Sequence, residues 1–240
     1  MARPVQFLGQ EGNILFAGRP KWLLSIALIG ALFFPGQSRS HNRAARNDRR
    51  TAALSDLRQD ETDLQTARGL TLDILQAGNG CSAWFQETAP ESAEIFDSLH
   101  FDIVDEPVKY VALVRDARGE WKYKQPWAAS TLQSTGRNSR VKLNPSGAFF
   151  VATLPVLRVD QKGSLLSHQG LRPLSVGAYR GDTLGAQITT LLHELAHVTG
   201  RIPEDTDSLD GKSGRNTEEV LRHCKMEIRT RVRMASRDSR

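Results

Sequence analysis

The sequence predicts an α+β fold with one main domain over residues 51–235, because helical patterns flank a central region of strand patterns. Apolar residues recur every three or four positions from Leu54 to Ala77 and again after residue 183. Between residues 101 and 154 they instead alternate, or form short blocks bounded by turn residues. This order of elements predicts a small mixed or antiparallel sheet, an internal helix and a C-terminal helix around one core.

Composition and charge place the chain among ordinary globular proteins. Of its 240 residues, 39% are hydrophobic and 25% are charged, which supplies enough apolar side chains for a sizeable core. The formal net charge is +5, and much of the basic excess lies in residues 39–50 and 225–240. Neither stretch interleaves aromatic residues for base stacking. We therefore predict a basic linker at 39–50, a basic tail at 236–240, no nucleic-acid partner and a monomeric protein.

An uncharged apolar run occupies residues 22–34, after the basic residues Arg19 and Lys21. A basic flank, a short apolar block and small residues after it are typical of a secretory signal. The run is too short to span a bilayer comfortably. We therefore predict that residues 1–38 are a signal peptide and that the protein is secreted into the periplasm or the extracellular space. An N-terminal membrane anchor formed by this segment is the alternative.

The chain has two cysteines, Cys81 and Cys224, and no Cys-x-x-Cys motif. An exported protein meets an oxidising compartment, in which an even pair of cysteines forms a disulfide. We therefore predict a Cys81–Cys224 bridge, which would bring the first and last helices of the domain close together. Two buried free thiols are the alternative.

Local signals bound the predicted helices and strands. Helices are predicted from Leu54 to a stop at Gly78-Asn79-Gly80, over residues 91–99, from Thr183 to Thr199 before Gly200, and from a cap at Asn216 or Thr217 towards Val232. Strands are predicted within residues 101–124 around a hairpin turn at 117–119, at 141–143 and at 149–154. Residues 160–182 show no period and are predicted to be irregular.

The pattern His193-Glu194-Leu195-Ala196-His197 carries the strongest functional signal. Histidines four positions apart lie on one face of a helix, so both imidazoles can reach one ion. Two imidazoles suit zinc, and the adjacent carboxylate suits a general base that acts on a zinc-activated water. We therefore predict His193 and His197 as zinc ligands and Glu194 as the catalytic base.

A catalytic zinc site takes a third protein ligand and leaves one position open. We favour Asp205, with Asp207 and Glu218 as the main alternatives. A loop that turns back at Gly200 would bring Asp205 or Asp207 beneath the metal, whereas Glu218 lies on the last predicted helix. More remote options are Glu204, Asp210 and His223.

Three residues outside the motif have two interpretations each. Asn216 is interpreted first as the N-cap of the last helix, a role that asparagine fills well, and second as a support of the metal site. Tyr179 and Arg180 precede the motif helix. They are interpreted first as surface-loop residues and second as hydrogen-bond donors to a substrate oxyanion.

The stretch Leu191–Gly200, Leu-Leu-His-Glu-Leu-Ala-His-Val-Thr-Gly, resembles the active-site helix of zincin metallopeptidases. The stretch Ser213–Val220, followed by Cys224, is similar to a pattern in uncharacterised bacterial secreted zincin-like proteins. The chain is also loosely similar to aspzincins, but Glu204-Asp205-Thr206-Asp207 stands where that group has Gly-Thr-x-Asp. This departure leaves the third ligand open and gives no basis for lysine specificity.

The resemblance implies a zincin-like domain that uses zinc to hydrolyse peptide bonds in peptides or proteins. It also implies that an extended substrate lies along a sheet edge, for which strands 141–143 and 149–154 are the candidates. The sequence lacks the further histidine of metzincins. We therefore expect a secreted zinc metallopeptidase. The alternative is a non-catalytic exported binding module on a zincin scaffold, which would lack a third ligand or a productive cleft.

Overall fold

The computed structural model describes residues 39–104, 108–160, 162, 164–205 and 208–238, and for residues 39–57 and 208 it describes the backbone only. The chain divides into two compact units, residues 1–46 and 47–240. All packing described below lies within the second unit. The apolar run 22–34 lies outside the described residues, so the signal peptide and the alternative anchor stay predictions. Within the described part of the chain, no helix is long and apolar enough to cross a membrane.

Five helices and nine strands make up the described fold. The helices are α1 (Arg39–Gln76), α2 (Gly80–Gln86), α3 (Ser92–Asp97), α4 (Leu184–Val198) and α5 (Lys212–Asp238), with a 3₁₀ turn at Ser208–Asp210. The strands are β1 (His100–Ile103), β2 (Val111–Arg115), β3 (Trp121–Lys124), β4 (Ala129–Ser130), β5 (Arg140–Leu143), β6 (Thr153–Val159), β7 (Leu165–Pro173), β8 (Ser175–Val176) and β9 (Tyr179–Arg180). The predicted α+β class is confirmed.

Three small sheets form the β part of the fold. The first has the order β1-β5-β4, in which β1 pairs with β5 in parallel and β4 pairs with β5 in antiparallel. The second has the order β3-β2-β6-β7 and contains one parallel pair, β2 with β6. The third is the short β8–β9 hairpin. The first two sheets are therefore mixed, which agrees with the predicted small mixed sheet.

Helical structure occurs at two places where the sequence did not predict it. Helix α1 begins at Arg39, so the backbone of the predicted linker 39–50 is helical. No proline or glycine interrupts residues 39–68, and this stretch is rich in alanine and arginine, which favour a helix. Helix α2 was not predicted, although Asn79 begins it with a capping box in which Asn79 and Ser82 bond to each other's backbone N–H. From the sequence, Asn79 is interpreted only as part of the signal that ends the preceding helix.

The strand predictions are confirmed for the β2–β3 hairpin and for β5, and they are wrong for residues 149–152 and for the region 160–182, which contains β7, β8 and β9. Residues 149–152 are not in a strand, because Phe149 and Phe150 form a turn in which the Phe150 and Val151 N–H groups both donate to the Gly147 carbonyl. That turn places the Phe149 ring in the main core. Residues 165–173, predicted to be irregular, form β7. This strand is almost wholly exposed, and its hydrogen bonds to β6 hold it in place. Its sequence therefore lacks the alternation of apolar and polar residues that would have predicted a strand.

Helix α4 lies in the centre of the core, and its predicted limits are confirmed. All residues from Gly185 to Val198 are buried, as expected of a helix that is apolar on most of its surface. The Thr183 hydroxyl accepts a hydrogen bond from the Ala186 N–H at 3.3 Å and caps the helix. After Thr199, Gly200 adopts a φ of +68°, which turns the chain back along the helix. The histidine motif is therefore fixed on a rigid, fully packed element.

The predicted disulfide is confirmed between Cys81 at the start of α2 and Cys224 on α5. Both residues are fully buried, and their Cα atoms lie 4.5 Å apart. Helix α5 also reaches α1, because the Arg231 guanidinium donates to the Asp73 carbonyl at 3.3 Å. The last helix is therefore held to the N-terminal helices by a covalent bond as well as by packing.

Replacing both cysteines with alanine is expected to lower the free energy of unfolding by about 2–5 kcal/mol, because the bridge constrains a long loop of the unfolded chain. Alanine keeps both buried positions apolar. Urea unfolding monitored by circular dichroism measures the difference. A reducing agent should lower the stability of the wild type and leave the double variant unchanged. Equal unfolding free energies for the two proteins would contradict this expectation.

Candidate metal centre

His193 and His197 lie one turn apart on α4, and their side chains meet. The two Nε2 atoms are 3.0 Å apart, and the rings cross nearly edge to face at an interplanar angle of 76°. Both side chains are buried. The motif's helical spacing therefore brings two imidazole nitrogens to one point, as predicted.

Asp205 completes a group of three. Its Oδ2 atom lies 3.1 Å from His193 Nε2, and its Oδ1 atom lies 3.5 Å from His197 Nε2. The loop after α4 delivers this carboxylate. It turns at Gly200, is tied back by the Arg201 N–H to the Ala196 carbonyl at 2.8 Å, and returns beneath the histidines. The favoured third ligand is thus brought to the two histidines.

The other candidates for the third position are placed differently. Glu218 lies on an exposed part of α5 and is not in the group, although it lines the same cleft. Asp207 lies outside the described residues. Among the residues that the structure describes, His193, His197 and Asp205 form the set of histidine, cysteine and acidic side chains that could hold a metal ion.

The spacing of the three ligand atoms fits a metal of zinc's size. Metal–ligand bonds of 2.0–2.1 Å in a tetrahedral site separate neighbouring ligand atoms by about 3.3 Å. The two Nε2 atoms are 3.0 Å apart, and they lie 3.1 Å from Oδ2 and 3.5 Å from Oδ1 of Asp205, so all three distances are close to that value. Two imidazoles and one carboxylate are also a donor set that zinc accepts while keeping a fourth position open.

The ionisation of the group favours a cation. Burial lowers the pKa of His193, so its imidazole is neutral near pH 7 and has a lone pair to offer. Burial alone would raise the pKa of Asp205, but hydrogen bonds with His193 and His197 outweigh it and hold that pKa well below its usual range. The group therefore combines a neutral imidazole with an ionised carboxylate.

Glu194 lies next to the group and is buried. Its side chain is 4% exposed, and its Oε2 atom has no hydrogen-bond partner among the described residues. Burial, assisted by the negative charge of Asp205, raises the pKa of Glu194 to about 8. Such a carboxyl group exchanges a proton near neutral pH, which is what a general base or acid requires.

The interpretation of Asn216 as an N-cap is wrong. Helix α5 begins at Lys212, so Asn216 lies inside it and is buried. Its side-chain amide donates to the Asp205 Oδ1 atom at 2.6 Å and to the Pro203 carbonyl at 2.8 Å. The alternative interpretation, contact with the residues of the metal site, matches this geometry. The sequence misplaced the helix start because Gly211 and Gly214 obscure its first turn.

The group opens into a large cleft with a volume of about 1310 Å³. One wall contains α5, and another contains β4 and the segment that precedes it. Strand β4 is an edge of its sheet, since β5 is its neighbour on one side only. The sequence predicted an edge from residues 141–143 or 149–154, but β5 is the central strand of its sheet and residues 149–152 form no strand. The edge beside the cleft is therefore Ala129–Ser130.

Tyr179 and Arg180 do not lie among the described residues that line the cleft. The Tyr179 ring instead packs on the first turn of α4, where a Cβ added to Gly185 would lie 2.4 Å from its Cδ1 atom. Both residues belong to β9 and not to an irregular surface loop. Their placement does not support the alternative interpretation as oxyanion donors.

Comparisons with known proteins give no further assignment. No family model, no curated protein and no solved structure matches the chain. The likeness of Leu191–Gly200 to the active-site helix of zincins remains a likeness of one segment. The function is therefore argued from the geometry of the site.

Proposed function

We propose that the protein is an exported, zinc-dependent metallopeptidase with a zincin-like site. The observation that carries the proposal is the convergence of two buried imidazoles and one carboxylate beside a buried glutamic acid, at the floor of a cleft. The buried disulfide supports export, because such bridges persist in oxidising compartments. His193, His197 and Asp205 would hold the ion, and Glu194 would act as the base.

Zinc, when bound, supplies a Lewis acid that lowers the pKa of water and polarises a carbonyl group. The protein's own part is the proton transfer. Glu194 takes a proton from the water whose oxygen attacks the peptide carbonyl carbon. As the carbon–nitrogen bond breaks, the same carboxyl group delivers that proton to the leaving amine. A cation near Glu194 favours its ionised form, so the base is ready at neutral pH when the site is loaded.

The shape of the cleft supports a peptide or protein substrate. Its volume of about 1310 Å³ exceeds the 300–1,000 Å³ that is usual for small-molecule pockets. Strand β4 gives the cleft a sheet edge, and an extended peptide can add to such an edge through main-chain hydrogen bonds. A substrate of several residues could therefore lie across the metal centre.

A non-catalytic binding module on the same scaffold is the competing proposal. It would be favoured by a missing third ligand or by a closed site. The position of Asp205 and the size of the cleft both weigh against it. The buried Glu194 also weighs against it, because a carboxyl group whose Oε2 atom has no hydrogen-bond partner among the described residues is costly to bury and is typical of functional sites.

The Glu194→Gln variant tests the proposal. It should bind zinc like the wild type and cleave an unfolded protein about 10²–10⁴-fold more slowly, because general acid–base catalysis contributes that much. Zinc content is measured by atomic emission, and cleavage is measured by mass spectrometry of the products. Glu218→Gln, which changes an exposed carboxylate of the same cleft, is the matched control and should keep full activity.

Two outcomes would contradict the proposal. A Glu194→Gln variant that cleaves as fast as the wild type would remove Glu194 from the role of base. A wild type that binds one zinc ion but cleaves no peptide would favour the binding module.

A further inference from the structure

Two adjacent residues of α5 touch two different members of the metal centre. Thr217 Oγ1 lies 3.1 Å from Nδ1 of His193, on the side of the ring away from the other ligands. Asn216 Nδ2 lies 2.6 Å from Oδ1 of Asp205. Both side chains are buried, and α5 contributes no member of the group itself. Helix α5 therefore contacts the metal centre through these two side chains but supplies no ligand to it.

The hydrogen bonds of Thr217 favour the tautomer in which His193 can bind a metal through Nε2. The threonine hydroxyl has one hydrogen, and it donates this hydrogen to the Ser213 carbonyl at 3.0 Å. Towards His193 the hydroxyl oxygen can then only accept, so it receives the Nδ1–H of the ring. A neutral imidazole carries one hydrogen, so this bond favours the tautomer with a lone pair on Nε2, in competition with the hydrogen bond from Nε2 to Asp205 Oδ2 that the metal-free site also allows. That lone pair faces His197 and Asp205, which is the arrangement that a metal ligand needs.

Asn216 fixes the carboxylate in a comparable way. A side-chain amide has two hydrogens, and Asn216 uses one on Asp205 Oδ1 and the other on the Pro203 carbonyl at 2.8 Å. The second bond holds the backbone of the same loop two residues earlier. With Oδ1 held by the amide, Oδ2 is directed at His193 Nε2. The amide thus sets both the position of the loop and the rotation of the carboxylate.

His197 lacks this kind of support. Its Nδ1 atom is buried and has no hydrogen-bond partner among the described residues. The polar contacts of its ring are those of Nε2 with His193 and Asp205, and none of the described side chains of α5 supports it from the Nδ1 side. The contrast makes the effect of Thr217 specific to one of the two imidazoles.

We propose that Asn216 and Thr217 are positioning residues of the metal centre, which orient Asp205 and fix the tautomer of His193. The proposal rests on the metal centre of the proposed function. The side chains of consecutive helical residues point about 100° apart. Asn216 can therefore contact the Asp205 loop while Thr217 contacts α4. Helix α5 is the element that holds the two ligand-bearing segments together.

Thr217→Val and Thr217→Ser form the first test. Valine has the shape and branching of threonine but no hydroxyl group, whereas serine keeps the hydroxyl. Zinc affinity, measured by competition with a chromophoric chelator, should fall about 10–100-fold in the valine variant and stay near the wild type in the serine variant. Thr230→Val is the matched control, since Thr230 also lies on α5 and donates to the carbonyl four residues before it, but its hydrogen bond is exposed to solvent and lies outside the metal centre.

A second readout does not depend on zinc. Nitrogen-15 NMR of the imidazoles in the metal-free protein should show a larger fraction of His193 protonated at Nδ1 in the wild type and in Thr217→Ser than in Thr217→Val. In Thr217→Val the proton should redistribute towards Nε2. A merely structural role of Thr217 would change the unfolding midpoint but not this tautomer. An unchanged tautomer, or unchanged zinc affinity, in a folded valine variant would overturn the role of Thr217.

Asn216→Asp tests the other half. It keeps the size of the side chain, removes both donated hydrogen bonds and places a second carboxylate beside Asp205. Zinc affinity should again fall by about 10–100-fold, and an unchanged affinity would overturn the role of Asn216. These outcomes are separable from the peptidase proposal. Zinc binding without hydrolysis overturns the peptidase alone, whereas unchanged affinities in active variants overturn the positioning roles alone.

Discussion

Asp205→Ala is expected to weaken zinc binding by more than about 100-fold, which exceeds the 10–100-fold loss expected when only an outer hydrogen-bond partner is removed. The variant loses a carboxylate that lies 3.1 Å from His193 and 3.5 Å from His197. It leaves two imidazoles, which are too few for a stable protein site. Chelator competition on purified, metal-free protein measures the affinity.

Glu218→Ala is the control for this variant. It removes the same charge from the same cleft, but Glu218 is exposed and stands outside the group of three. Its zinc affinity should equal that of the wild type. Circular dichroism of each metal-free variant shows whether it is folded. Should Glu218→Ala lose zinc while Asp205→Ala keeps it, the assignment of the third ligand would be reversed.

Glu194→Gln is expected to stabilise the metal-free protein at alkaline pH by about 3–5 kcal/mol, at 1.36 kcal/mol per unit of pKa shift. The Glu194 pKa is raised from 4.5 to about 8 on folding. A raised pKa stabilises the folded state fully below pH 4.5, and this contribution is lost as the pH rises through about 8. Glutamine carries no proton to lose, so the two proteins should differ little near pH 4.5 and most near pH 8.

Urea unfolding at several pH values measures this difference. The pKa of His193 also changes on folding, but His193 is present in both proteins and cancels in the comparison. Glu218→Gln, at an exposed position, is the control and should show no such gain. Zinc should reduce the advantage of Glu194→Gln, because a nearby cation favours the ionised carboxylate. A difference that does not depend on pH would contradict the assigned environment of Glu194.

The sequence predicted the parts of the site that depend on local pattern. The apolar stripe of α4, the Thr183 cap and the Gly200 turn are local signals, and together they determine the helix that presents His193 and His197. The disulfide followed from the number of cysteines and the predicted export. The causes of the helix and its ends lie in residues close to one another in the sequence.

The rest of the site depends on tertiary contacts that no local pattern displays. The sequence left Asp205, Asp207 and Glu218 as candidates, since each lies within reach of a turning loop or the next helix. What distinguishes Asp205 from the other candidates is a tertiary contact. The Asn216 amide forms hydrogen bonds with Asp205 and Pro203 and so connects their loop to α5. The role of Thr217 likewise requires knowledge of which helix packs against His193.

The errors in the fold have the same origin. Strand β7 is exposed almost throughout, so its residues show no apolar alternation, and only its pairing with β6 makes it a strand. Phe149 is apolar because it fills the core from a turn, and its hydrophobicity was misread as that of a strand. The pattern of apolar residues predicts a strand well when one face of the strand is buried in the core. It predicts a strand poorly when pairing with another strand alone determines its conformation.

A crystal structure of the zinc-loaded protein, with anomalous diffraction at the zinc edge, tests the metal centre most directly. We expect one zinc ion bound by Nε2 of His193, Nε2 of His197 and the carboxylate of Asp205, at bond lengths of about 2.0–2.2 Å, with a fourth position open to the cleft. An anomalous map without a peak at this group, or with zinc bound by Glu218 in place of Asp205, would contradict the assigned metal centre.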